Sequence, residues 1–310
     1  MKGWLFHLAV LGVLAVLAVI LPAYHANNLA RVLVLAVFAT GYNLAFGYTG
    51  MLSLGHALFF GAGMFGAALP VTLWGWGGLP VLGTGMLAGG VVAAAVGVLA
   101  LRTKGVSFMI VTLMFAQAGY LTLIYCNAVT GGDQGLVLPG AARQVLGLDL
   151  TQDGSRLWLA LGIYAAALAG ALGLVGSRFG RVMLAMRENE ERSRMLGYDP
   201  YTVKLKVLVI SGLYAGLAGA AYGVFFGYAG AGFATVQYSI LPMLYSLLGG
   251  AGTALGPLIG AAVMFWLIDF ASGLTNAYLM LVGVVLIVVV LFAPRGILGY
   301  VRERWLPWLP

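Results

Sequence analysis

Phe179–Lys206 reads FGRVMLAMRENEERSRMLGYDPYTVKLK. Of the 16 basic and 9 acidic side chains in this 310-residue chain, eleven lie between Arg178 and Lys206. The chain as a whole is 62% hydrophobic and 8% charged, with a mean hydropathy of +1.01. A soluble domain carries about 25% charged residues, and apolar runs this long would expose far too much surface to water. The quoted segment is therefore a polar connector between membrane spans. The composition predicts an all-α polytopic membrane protein with one transmembrane domain over residues 1–310.

Each span needs about 20 mostly apolar residues. The sequence predicts about ten, near 4–21, 29–47, 51–73, 79–101, 105–126, 156–177, 207–228, 237–250, 254–271 and 276–293. The first is read as a span, because 4–21 exceeds the roughly 7–15-residue apolar core of a signal peptide and no A-x-A site follows. The eighth is short and holds Pro242. With both termini in the cytoplasm, the inner segments hold Lys2, Arg102, Lys104, the seven basic residues of 178–206, Arg295, Arg302 and Arg304. The outer segments hold only Arg31, Arg143 and Arg156. Cytoplasmic loops carry the excess of Lys and Arg, so 178–206 is placed inside and 127–155 outside.

Within the inner loop, Arg181–Leu196 lacks Gly and Pro, and good helix formers predict a short helix that stops at Gly197. Val182, Met183 and Met186 make one end apolar, and Met195 and Leu196 the other. Arg187, Glu188, Glu190, Glu191, Arg192 and Arg194 alternate in sign. That pattern suits a polar groove on a partner and suits water equally well.

The spans carry few ionisable groups: His7 near an interface, Asp269 at an outer end, and His56. An ion-coupled carrier needs intramembrane carboxylates or a relay, and a membrane enzyme needs clustered His, Asp, Glu or Cys. Neither set is evident, and no metal site is predicted. Cys126 is the only cysteine, so it forms no intrachain disulfide. No lysine follows a glycine, which excludes a G-x-x-x-x-G-K-[ST] loop. No basic, aromatic-interleaved soluble segment points to nucleic acid. The chain offers a path without an energy source: either another subunit supplies the energy, or the path is a passive channel. His56, beside Ser53, is a functional candidate by default; the bland reading, a neutral imidazole satisfying a backbone carbonyl at a helix break, is the favoured one.

Gly212, Gly216, Gly219, Gly223 and Gly227 share one span at small-xxx-small spacing, as do Gly252, Gly256 and Gly260. Such spacing lets helices approach closely. Phe46-Gly-Tyr-Thr-Gly50 closes the second span and Phe226-Gly-Tyr-Ala-Gly230 the seventh. With five spans per half the halves are inverted, and each motif precedes a Gly-rich or shortened span. Interrupted helices at matching places in inverted halves point to a transport path.

Several segments together resemble one family. Gly47-Tyr-Thr-Gly-Met-Leu-Ser-Leu-Gly-His-Ala-Leu-Phe-Phe-Gly-Ala-Gly63 is similar to the signature of the permeases of branched-chain amino acid ABC importers, of the LivM type. Thr130-Gly-Gly-Asp-Gln-Gly-Leu136 resembles their outer loop. Phe179-Gly-Arg181, Arg187-Glu-Asn-Glu190, Leu196-Gly197 and Lys204 resemble their cytoplasmic loop. Gly249–Ala261 and Arg295-Gly296 complete the order. Glu191-Arg192-Ser193-Arg194 departs from the family, which commonly places two alanines there. The resemblance implies a permease in a bacterial inner membrane, paired with a second homologous permease, two cytoplasmic ATPase subunits that use ATP and Mg, and a solute-binding protein. The permease itself carries no cofactor. It implies that 178–206 is the coupling loop, with Arg181, Arg187, Glu188, Asn189, Glu190 and Gly197 at the ATPase contact. Asn43, Ser53, His56, Gln237 and Ser239 become candidates for the path. Gly131, Gly132 and Asp133 become candidates for outer docking, or form a tight turn. Related permeases carry urea, short amides or small aromatic acids, so the solute stays open.

Overall fold

The computed structural model describes residues 2–140, 143–274, 277–292 and 295–304. Helices α1 (Lys2–Ile20), α2 (Ala23–Phe46), α3 (His56–Trp74), α4 (Leu79–Ala100) and α5 (Val106–Tyr125) are followed by a short α6 (Asn127–Thr130). Then come α7 (Asp153–Gly176), α8 (Arg178–Glu188), α9 (Glu190–Met195) and α10 (Pro200–Phe226). Helices α11 (Val236–Gly249), α12 (Gly256–Leu274), α13 (Tyr278–Phe292) and α14 (Gly296–Arg304) complete the order. Four two-residue strands lie in the loops: β1 (Leu136–Val137) pairs antiparallel with β4 (Tyr228–Ala229), and β2 (Gln144–Val145) with β3 (Leu148–Asp149).

Each stretch expected to span overlaps a helix among the described residues, although 51–55 and 254–255 are not helical. Seven of those helices, α2, α3, α4, α5, α7, α10 and α12, are long and apolar enough to cross a bilayer. Among the described residues α1 offers a shorter apolar stretch, Leu5–Ile20. Helix α11 has 14 residues, about 21 Å at 1.5 Å per residue, against a hydrocarbon core of about 30 Å. The chain is a polytopic helical membrane protein.

The centre of the bundle is α2 and α10. Helix α10 packs on α3, α4 and α2, and α2 packs on α7, α12 and α11. Lipid tails are as apolar as leucine, so helices in a bilayer associate through close van der Waals packing rather than burial from water. Gly63 of α3, Gly85 and Gly89 of α4, and Gly212, Gly216 and Gly219 of α10 supply that packing. A Cβ on Gly63 would overlap the backbone of Gly216, and one on Gly219 the carbonyl of Phe60. The glycine row expected from the sequence is the surface along which α3, α4 and α10 touch. By contrast α5 buries only Phe108, Thr112 and Ala116.

The two sets of charged loops gather at opposite ends of α2. Near its C-terminus, Arg187 meets the Gly47 carbonyl, Lys104 meets Glu190, and Arg302 Nη1 reaches the Gly252 carbonyl at 3.5 Å. Near its N-terminus, Arg156 Nη1 donates to Asn27 Oδ1 at 2.7 Å, and β1 pairs with β4.

Two expectations change. The single helix over 181–196 is two helices, because Asn189 is extended (φ −159°, ψ 106°). Its side-chain oxygen accepts from Arg192 N at 2.9 Å. An Asn side chain competes with the helical ladder and favours a cap. His7, expected at an interface, is 2% exposed, with its ring edge-on to Phe6. Trp305 and Trp308, which the sequence sets in an inner aromatic belt, lie outside the described residues.

Replacing Gly216 with Leu is expected to prevent α10 from seating on α3 and α4. The monodisperse peak in detergent size-exclusion chromatography should be lost. Gly162→Leu, where an added Cβ meets nothing within 4 Å, should leave that peak unchanged.

Candidate functional site

The structure brings most of the expected residues to three places. The first is an elbow at the charged end, formed by α8 and α9. Ser177 caps α8 by accepting from Gly180 N at 3.2 Å, and Met183 and Met186 are buried beneath it. Asp199 caps α10 by accepting from Tyr201 N at 3.2 Å and Thr202 N at 3.0 Å. Between those anchors, Arg187 donates from Nη1 to the Gly47 carbonyl at the end of α2. A cation at the carbonyl end of a helix is favoured by the helix dipole. Gly50 and Gly252 leave room for it: an added Cβ would lie 3.3 Å from Arg187 Cγ at Gly50 and 2.9 Å from Nη1 at Gly252.

Glu190 does not pair with Arg187. Its Oε2 accepts from Lys204 Nζ of α10 at 2.5 Å, and its Oε1 lies 3.5 Å from Lys104 Nζ in the α4–α5 turn. Partial burial would raise its carboxyl pKa. The two ammonium groups outweigh that and hold it below the usual carboxylate range. A cavity of about 350 Å³ opens beside this clamp, lined among others by Met51, Leu101, Phe108, Arg194 and Tyr201. Arg181 and Glu188 are exposed, and Gly197 adopts φ +91°, a left-handed stop that glycine permits. Met195 and Leu196, expected as an apolar helix side, stand 85% and 70% exposed.

The second place lies where α3, α11 and α12 begin or end inside the bundle. Irregular backbone at membrane depth must be satisfied by protein or by water in a cavity. Asn43 bridges α2 to the turn before α12: its Nδ2 donates to the Thr253 carbonyl and its Oδ1 accepts from Gly252 N, each at 2.9 Å. Ser239 Oγ accepts from Ala57 N at 2.9 Å, Ser53 Oγ from Gly55 N at 3.2 Å, and Thr112 Oγ1 from Leu54 N at 3.1 Å. Ser211 Oγ donates to the Gly41 carbonyl at 2.6 Å, which uses its only proton. In the 2.8 Å contact with His56 Nε2 the imidazole is therefore the donor. Asn43, Ser53, His56 and Ser239 are all buried, and apart from His56 Nδ1, which is buried without a partner, the polar atoms named here serve the backbone or a neighbouring side chain; Gln237 is exposed.

The third place is the opposite end. Gly131, Gly132 and Gly135 have φ of 72°, 57° and 69°, and Thr130 Oγ1 accepts from Gly132 N at 3.2 Å. This is a tight turn that leads into β1, with Asp133 exposed at its tip. Arg143 donates from Nε to the Val224 carbonyl at 2.9 Å and from Nη2 to the Phe225 carbonyl. The end of α10 is therefore closed by an arginine, as the end of α2 is closed by Arg187. Sequence reading gave no role to Arg143, Ser211 or Lys104 beyond composition and charge counting. Nothing local marks them, because each acts on a segment remote in the chain.

A bundle of apolar helices with interrupted helices braced by neutral side chains defines a membrane transport protein. The description "Branched-chain amino acid transport system / permease component" matches residues 24–291, and the chain belongs to that family. It is 25% identical over 297 residues to the high-affinity branched-chain amino acid transport system permease protein LivM of Escherichia coli, covering 86% of this chain and 68% of the relative. It is 23% identical over 286 residues to the corresponding LivH protein of Salmonella typhimurium, covering 85% of this chain and 91% of the relative. A probable LivM permease of Methanocaldococcus jannaschii is 28% identical over 204 residues, covering 61% and 59% of the two chains. No solved structure matches significantly. The chain is a transport permease and not an enzyme.

The depressed Glu190 carboxyl sets a pH dependence. A folded pKa below the unfolded one gives a contact present above the unfolded value, about 4.3 for Glu, and lost as pH falls through the folded value. Amide exchange across Glu190–Met195 is expected to rise below that range. Glu190→Gln should show the fast exchange already at pH 7.

Proposed function

We propose that the chain is one of two permease subunits of an ATP-driven importer for branched-chain amino acids. A second homologous permease supplies the other half of the path. Two ATPase subunits sit on the elbow side, and a solute-binding protein docks at the end carrying Gly131, Gly132 and Asp133. The elbow side is cytoplasmic and both termini lie there. Helices α1, α11 and α13 complete ten passes as two inverted five-helix halves. The reciprocal packing of α10 on α3 and α4, and of α2 on α11 and α12, supports that arrangement.

The observation that carries the reading is the pinned elbow. Arg187 holds it to the end of α2 and Glu190 holds it to α10 and the α4–α5 turn. Arg181, Glu188, Asn189, Met195 and Leu196 remain on its outer surface for a partner. A push on that surface reaches three helices at once. The halves rock, and the path opens alternately to either side. Neutral braces such as Asn43, Ser53, His56 and Ser239 keep the interrupted helices in shape while Gln237 faces the path. A zwitterion then passes without a fixed charge at mid-depth to trap it.

Purified chain reconstituted with the second permease, both ATPase subunits and the binding protein is expected to accumulate leucine only with ATP. Solute movement by the chain alone in liposomes would refute the reading. Arg187→Glu places an anion at the carbonyl end of α2. ATP-driven uptake should fall about ten-fold or more with membrane insertion retained, since a charge-assisted hydrogen bond is worth roughly 1.5–3 kcal/mol.

A further inference from the structure

Three guanidinium groups converge on Phe226 at the end of the bundle opposite the elbow. Two are engaged within the fold. Arg143 donates to the carbonyls of Val224, Phe225 and Leu150. Arg156, 7% exposed, pairs with Asp153 at 3.2 Å and donates to Leu150, Thr151 and Asn27. Arg31 differs. Its guanidinium carbon lies 4.5 Å from the centre of the Phe226 ring, which holds it by cation–π attraction. Among the described residues it makes no ion pair, and its Nε is buried without an acceptor. One turn earlier on α2, Asn28 is 7% exposed and its Nδ2 is also buried without an acceptor. Residues three apart are neighbours on a helix surface. Two buried donors side by side with nothing to donate to are rare in folded proteins, and together they fit an oxygen pair.

The surroundings give that oxygen pair a chemistry. From Phe226 an aromatic wall runs through Tyr222 (4.6 Å between centroids), Phe233 (5.2 Å) and Tyr238 (5.1 Å). Arg31, Tyr222, Phe226, Phe233 and Tyr238 are each only half-buried. Aromatic faces accept aliphatic groups, and an arginine fork accepts a carboxylate in two parallel hydrogen bonds. A bulky lipid phosphate is a poor occupant, because α2 is buried along most of its length and Asn28 is only 7% exposed.

We infer that Arg31 and Asn28 receive the carboxylate of a small aliphatic amino acid where it enters the permease, with its side chain against Phe226, Tyr222 and Phe233. This deepens the importer reading and rests on it. The charge lies at the mouth, so it orients the solute without holding it at mid-depth.

The test uses the full complex in liposomes with its binding protein, with leucine as the solute. Asn28→Asp sets a carboxylate one turn from Arg31, occupying the fork from within. It is expected to raise the melting temperature of the complex while leucine uptake falls about ten-fold or more. Arg31→Gln should lower uptake to a similar extent through a raised KM, and Arg31→Lys, which keeps charge but not the fork, should recover it only partly. Wild-type rates in Asn28→Asp or Arg31→Gln overturn the inference. So does a fall in melting temperature together with uptake in Asn28→Asp, which would make the pair structural. The importer reading is judged separately, by whether the wild-type complex takes up leucine on ATP at all. If it carries urea and not leucine, the solute has no carboxylate, and the amino acid reading fails together with the receptor; leucine uptake unchanged by Arg31→Gln refutes the receptor alone.

Discussion

The closeness of α10 to α3 and α4 is the constraint from which the rest follows. Gly63, Gly85, Gly89, Gly212, Gly216 and Gly219 meet backbone to backbone, leaving no space for a Cβ at the crossing. In a bilayer, helices gain little by hiding from their surroundings, so contact depends on dispersion over many close atoms. The tight crossing sets α10 beside α2 and brings Ser211 to His56 and Gly41. It also carries the ends of α10 to Lys104 and Glu190 at one side, and to Arg143 and Arg31 at the other.

Interrupted helices are the second consequence. Helix α3 starts at His56 and α11 stops at Gly249, each with non-helical backbone alongside. Three of the orphaned amides find a neutral oxygen from another helix: Gly252 finds Asn43, Ala57 finds Ser239, and Leu54 finds Thr112. Small neutral groups can do this in an apolar interior at modest cost, whereas an unpaired ion there would be expensive. The dearth of charge within the spans and the presence of broken helices are thus one design, in which the irregular backbone is kept dry and shaped by amides and hydroxyls.

Much of this was legible in the chain and some was not, for identifiable reasons. Hydropathy located the helices, because apolar length is a local property. The glycine row of α10 announced a contact surface, though not which helices would meet it. The charge cluster at 178–206 marked a polar connector, but its split at Asn189 depended on a capping bond to Arg192, which competes with good helix propensity on either side. Asn43, Ser53, His56 and Ser239 stood out as polar residues in apolar surroundings. Their partners lie as far as 210 residues away, as with Asn43 and Thr253, and no local pattern encodes that distance. Arg31 and Arg143 looked alike in a count of loop charges; only the fold separates one that closes a helix from one with donors to spare.

Arg187 on α2 and Arg143 on α10 make a matched pair of latches facing opposite ways. Each neutralises the partial negative charge at a helix terminus, and each comes from a segment outside that helix. Releasing such a bond costs roughly 1.5–3 kcal/mol, comparable to the couplings of about 1–3 kcal/mol that link distant sites in switching proteins. A grip of that strength holds at rest and yields to a modest tug. The molecule therefore has a handle at each end of the bundle, and an event at either end can be felt by the central helix held there.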